Sequence, residues 1–131
     1  MVLGFKKRFE APIKVGTKIH TIREDAKDRW RPGLLIHMAT GTRSKYYNCF
    51  KETPCISYQR IVMHLDTSNE GDIAIAIGGK MLIKDEEYER LAINDGFLNF
   101  SDFKKWWLPE LAQRIHNRYS GKIIHWTDFR Y

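Results

Sequence analysis

The chain of 131 residues is long enough for one domain with a hydrophobic core and too short for two, so a single domain over residues 1–131 is expected. Hydrophobic residues make up 43% and charged residues 29%, which excludes wholesale disorder and fibrous repeats. The net charge of +6 favours polyanionic partners wherever the excess gathers on one face.

No stretch approaches the roughly 20 apolar residues that span a bilayer, and the start, Met1-Val-Leu-Gly-Phe-Lys-Lys-Arg, lacks the apolar region of a signal peptide. A cytoplasmic protein without membrane contact is expected, with Cys49 and Cys55 as free thiols. Two basic clusters stand out: Lys6, Lys7 and Arg8, and then Lys27, Arg29 and Arg31 around Trp30.

In chain order, "KKRFEAPIKVG" predicts one or two helical turns, broken by Pro12 and stopped by Gly16. "KIHTIR" reads as a strand, and the Pro32-Gly33 turn leads into a buried strand from Leu34 to Met38. "TGTRSKYYNCFKETP" reads as a loop with an aromatic middle. "CISYQRIVMHL" carries apolar groups on both faces, as a central strand or one in a closed sheet does. "DIAIAIGGKMLI" predicts a hairpin turning at Gly78-Gly79.

A helix follows in "KDEEYERLAINDG", with Asp85 as candidate cap and Gly96 beyond its end. The next, in "NFSDFKKWWLPELAQRIHNRY", has Ser101 as candidate cap and an apolar stripe of Phe103, Trp106, Trp107, Leu111 and Ile115, interrupted at Pro109. "GKIIHWTDFRY" is a final strand. Five or six strands with two or three helices, few of them crossovers, predict an α+β fold: a small, mostly antiparallel barrel with flanking helices.

Chemistry-bearing residues concentrate in "VGTKIHTIRED". In a regular strand Lys18 and Thr21 would face opposite ways; if the strand begins around Thr21 after a turn, they converge. The plain reading is a polar strand entry with Arg23 paired to an acid. The sharper one is a base and nucleophile pair, because a lysine whose pKa is lowered by burial or a nearby cation can deprotonate a threonine hydroxyl. Such a site also needs a carboxyl group to protonate a departing amine. Cys49, Cys55, His37 and His64 match no standard zinc spacing, and Gly78-Gly79 lacks the rest of a phosphate loop, so neither metal nor cofactor is expected. His20 reads as a hydrogen-bonded or exposed histidine, and Trp106 and Trp107 as core. Trp30, Tyr46 and Tyr47, beside basic residues in or near loops, are candidates for base stacking.

Three segments, in order, resemble the ASCH family, a branch of the PUA-like β-barrels: Gly16-Thr-Lys18-Ile-His-Thr21-Ile-Arg23, then "RPGLLIHM", then "AINDGFLNFSDFKKWW". The resemblance implies a small mixed barrel whose cleft lies between the lysine motif and the Asp95-Gly96-Phe97 segment. It also implies RNA or nucleotide binding, with Gly16, Arg23, Trp30, Tyr46 and Tyr47 as ligand-binding candidates here. One enzymatic branch, a bacterial N(4)-acetylcytidine amidohydrolase, uses a lysine, a threonine and a glutamate; Lys18 and Thr21 fall on its Lys-x-x-Thr positions. Where it has glutamate the best match is Asp95, one methylene shorter, with Glu86 and Glu89 the other carboxylates in range. The expected function is thus binding of RNA, a nucleotide or a modified nucleoside. Amidohydrolysis through Lys18, Thr21 and Asp95 is the first alternative, and a protein-interaction domain the second.

Overall fold

The computed structural model describes residues 1–66, 68 and 71–131. It is an α+β fold with two sheets. The smaller has the strand order β1-β3-β4 and is built from β1 (Val2–Gly4), β3 (Leu35–Thr40) and β4 (Asn48–Pro54). The larger has the order β2-β8-β5-β6-β7, formed by β2 (His20–Arg23), β5 (Ser57–Asp66), β6 (Asp72–Ile77), β7 (Lys80–Met81) and β8 (Arg118–His125). Every pairing is antiparallel except the parallel β1–β3 pair. Three α-helices among the described residues, α1 (Glu10–Val15), α2 (Asp85–Asn94) and α3 (Phe100–Ala112), complete it.

Backbone hydrogen bonds link the sheets where the chain turns from β4 into β5. Cys55 N–H donates to the Leu34 carbonyl at 2.7 Å, and Ile56 N–H to that of His125 at 2.9 Å. No closed barrel is traced among the described residues. Both sheets nonetheless share one core, with Leu3, Ile36 and Met38 from the smaller and Ile22, Ile61, Ile75 and Ile123 from the larger. Helix α3 seals it with Phe103, Trp107 and Leu111, spaced four apart on one face. Full burial of a side chain such as Phe103 contributes about 1.5–3 kcal/mol.

The hairpin at Gly78-Gly79 forms as expected, with Ile77 opposite Lys80. Three local expectations change. Pro12 does not break α1, because it sits in the first turn, where an amide hydrogen has no helical partner to lose. Pro109 does not end α3, whose packed face outweighs the missing bond. Residues 48–54, expected as loop, pair with β3 as an edge strand; polar and mostly solvent-accessible, they carry no alternation to announce it.

Caps differ too. Asn99, not Ser101, caps α3, its Oδ1 accepting the Asp102 N–H at 2.9 Å. Asp85 is the first residue inside α2 rather than its cap. Among the described residues no helix is long and apolar enough to cross a membrane. Cys49 is exposed and Cys55 buried, each a free thiol.

Candidate functional site

The turn after α1 places the lysine. One carbonyl, that of Pro12, accepts the N–H groups of Gly16, Thr17 and Lys18 at 3.0–3.1 Å, so the chain curls tightly before β2 begins at His20. Lys18 therefore precedes the strand and escapes its alternation. Thr21 and Arg23, two apart in β2, share a strand face with each other, and all three line one cleft of about 610 Å³.

The opposite wall comes from the end of α2. Gly96 N–H donates to the Ile93 carbonyl and Phe97 N–H to that of Ala92, both at 3.0 Å, a Schellman stop that leaves Asp95 as the last residue before the glycine. Ile19 N–H reaches the Asn94 carbonyl at 2.9 Å and ties this helix end to the lysine turn. Gly96 has φ +93°, and a β-carbon there would sit 2.7 Å from Lys18 Cδ. Glycine is needed twice over, for the left-handed turn and for the lysine's passage.

Lys18 is 2% exposed, its stem lying along Phe9 with Nζ 4.8 Å from that ring's centroid. Nζ donates to the Asp95 backbone carbonyl at 2.5 Å and to Asp95 Oδ1 at 3.1 Å. Burial pulls its pKa down and the Asp95 charge pushes it back only in part, leaving it at about 8 rather than the ordinary 10.5. For Asp95, burial favours the neutral acid, but the Lys18 charge and the hydrogen bonds from His20 and Lys18 outweigh it, so the carboxyl titrates below its ordinary value.

His20 is fully buried behind this pair. Its Nδ1 is 3.2 Å from Asp95 Oδ1, and its Nε2 is 2.5 Å from the Tyr131 hydroxyl, which also accepts from Asn94 Nδ2 at 3.1 Å. Burial lowers the His20 pKa, keeping the ring neutral. Because the carboxylate only accepts, Nδ1 carries the proton and Nε2 accepts from Tyr131. The donors thus run Asn94 to Tyr131 to His20 to Asp95, locking the carboxylate's orientation.

In this arrangement the ionised Asp95 accepts from both Lys18 and His20 at Oδ1 and holds the lysine in place. Glu86 and Glu89 do not line the cleft.

Arg23 also differs from the plain expectation. Its guanidinium donates to the carbonyls of Gly4 at 2.7 Å and Ile22 at 3.2 Å and lies 5.1 Å from the Phe5 ring centroid, but it has no carboxylate partner among the described residues. The acids after it are engaged elsewhere, Glu24 with Arg114 at 2.9 Å and Asp25 with buried Lys122 at 3.0 Å. The Thr21 hydroxyl likewise has no hydrogen-bond partner among the described residues.

Lys6, Lys7, Tyr46 and Trp106 complete the cleft's more open side. Trp106, expected as core, is 40% exposed, while Trp107 beside it is buried. Three expected ligand-binding residues lie elsewhere. Trp30 is buried in the core, so its ring offers no platform, and its backbone N–H donates to Asp25 Oδ2 at 2.8 Å. Gly16 serves as the stop of α1, and Tyr47 lines a neighbouring pocket. His20 is hydrogen-bonded, one of the two states expected of it, but sequence reasoning did not name its partners and missed the aromatic bed of Phe5 and Phe9; the helix-stop pattern ending in Asp95-Gly96 was the readable signal for the site's second wall. Among the described residues no group of three or more His, Cys, Asp or Glu is placed to hold a metal ion.

Comparison with protein-family models, curated proteins and solved structures finds no match to the chain.

Proposed function

We propose that the protein binds a nucleotide, an RNA end or a modified nucleoside in this cleft, as an ASCH-type domain. In this reading the two sheets, joined at the β4–β5 corner, correspond to the halves of a PUA-like mixed barrel. The supporting observation is Arg23: a guanidinium lining a cleft, tied only to carbonyls, beside Lys6 and Lys7. Asp95 already neutralises Lys18, so Arg23, with Lys6 at the cleft's open side, is free of carboxylates to meet an anionic ligand. Trp106 and Tyr46 offer partly exposed aromatic surface for a base.

Amidohydrolysis is the second reading, favoured by a different observation: a lysine of pKa about 8 and an unpartnered threonine hydroxyl line the same cleft. Neutral Lys18 takes the Thr21 proton as Oγ attacks the acyl carbon of an N-acylated base. The tetrahedral adduct then collapses, breaking the carbon–nitrogen bond, and the amine leaves with the proton from the Lys18 ammonium. Water next hydrolyses the threonine ester, and Asp95 orients Lys18 throughout.

Calorimetric titration with cytidine 5′-monophosphate and N(4)-acetylcytidine, with acetate release followed in parallel, separates the readings. Binding lost in Arg23→Ala and kept in Thr21→Ala is the expected result. Acetate release abolished by Thr21→Ala moves the conclusion to the enzyme, and absence of both binding and release refutes both.

A further inference from the structure

The cleft does not end at its mouth. Gly4 and Thr42 also form part of a neighbouring pocket of about 530 Å³, lined otherwise by Val2, Arg43 and Tyr47. The two hollows therefore share a wall, and a β-carbon on Gly4 would come within 2.7 Å of Thr42 Oγ1. Consecutive tyrosines divide between them, Tyr46 toward the cleft and Tyr47 toward its neighbour, 73% and 49% exposed.

This loop is built rather than slack. The Gly41 carbonyl accepts from Ser44 N–H at 3.1 Å and Ser44 Oγ at 2.7 Å, and Ser44 Oγ in turn accepts the Tyr46 N–H at 3.0 Å. Gly41 has φ +64°, and a β-carbon there would lie 2.4 Å from the Tyr46 carbonyl oxygen, so the loop closes in this form only on glycine. Lys45 stands over the Tyr46 ring, 5.2 Å from its centroid. Large aromatics held in the open next to cations, with their backbone already ordered, suit stacking on bases at low entropic cost.

We infer that the ligand is a single-stranded RNA segment rather than a lone nucleotide: one nucleotide occupies the cleft, and its neighbour in the chain lies in the adjoining pocket, base on Tyr47 and phosphate against Arg43. This rests on the nucleotide-binding reading and adds a subsite to it. The linking backbone crosses the Gly4–Thr42 wall that the two hollows share, where the Thr42 side chain packs against Gly4.

The test is titration of the intact chain with the 5′-monophosphates of adenosine, cytidine and uridine and with six-nucleotide homopolymers of each. The oligomer that matches the best monophosphate is expected to bind about tenfold tighter. Tyr47→Ala and Arg43→Ala, both surface changes checked for folding by circular dichroism, are each expected to weaken it about fivefold while leaving monophosphate affinity unchanged. Equal affinity for monomer and oligomer, as a loop serving a protein partner would give, overturns the second subsite and leaves the nucleotide reading standing. So does oligomer affinity unmoved by either variant. Binding of neither ligand class removes the nucleotide reading and the subsite with it.

Discussion

Lys18 carries opposite expectations for the two readings, and the sign follows from its lowered pKa. Below about 8 it is an ammonium ion paired with Asp95, and above about 8 a neutral amine. Anion binding at Arg23 is strongest below that pH, where the ammonium cancels the Asp95 charge, and weakens as pH rises through it and leaves the carboxylate uncompensated. Hydrolysis that uses the Lys18 lone pair rises through the same point. Affinity for cytidine 5′-monophosphate and acetate release, each measured from pH 6 to 10, are therefore expected to bend near 8 in opposite senses, and Lys18→Met is expected to erase the bend. Stability adds a check. The folded pKa lies below the unfolded 10.5, so holding the charge costs stability fully below about 8, and that cost fades as pH rises toward 10.5. A midpoint of urea unfolding that falls over this window contradicts the assignment to Lys18.

At the level of elements, the site is the meeting of two chain reversals. One is the Pro12-centred turn that delivers Lys18, and the other the Schellman stop of α2 that delivers Asp95. Gly96 serves both, so Gly96→Ala tests their coupling. A left-handed non-glycine residue costs about 1–3 kcal/mol, and the methyl group also meets Lys18 Cδ at 2.7 Å. Thermal unfolding is expected at a lower temperature, with the Lys18 inflection displaced as well; loss of stability with an unchanged pH profile shows that the two reversals act separately. Helix α2 and the Ile-rich hairpin were legible from periodicity and turn chemistry. Strand β4 was not, because an edge strand exposed on most of its length leaves no alternating pattern.

Across the molecule, several of the cations behind the +6 charge are held in ion pairs, Lys122 by Asp25 and Asp28, Arg114 by Glu24 and Glu110, and Lys18 by Asp95. At the cleft, Arg23 and Lys6 have no carboxylate partner among the described residues, and Lys7 sits 81% exposed, 3.6 Å from Glu10. Affinity for a six-nucleotide RNA is accordingly expected to fall with salt. Lys6→Gln with Lys7→Gln is expected to flatten the log–log slope by about 0.7 for each phosphate left without its lysine, without moving the unfolding temperature. A slope indifferent to both lysines places the anion elsewhere.

Much of this protein was already written in its residue order. The mix of strand and helix signals set an α+β class, the Gly78-Gly79 hairpin follows from alternation and turn chemistry, and the Asp95-Gly96-Phe97 helix stop follows from glycine's access to the left-handed turn. "VGTKIHTIRED" also marked itself as unusual, but whether Lys18 and Thr21 share a cleft depended on where β2 begins. That start is set by three amides on the Pro12 carbonyl and by Asn94, 75 positions from the Ile19 it binds, and no local pattern encodes such a pairing. Burial was equally out of reach. The same residue types make Trp30 core and Trp106 a cleft wall, leave Arg23 without a carboxylate partner and bring Lys18 down to about 8. A side chain's solvation depends on what the rest of the chain packs around it, which is decided only when distant segments meet.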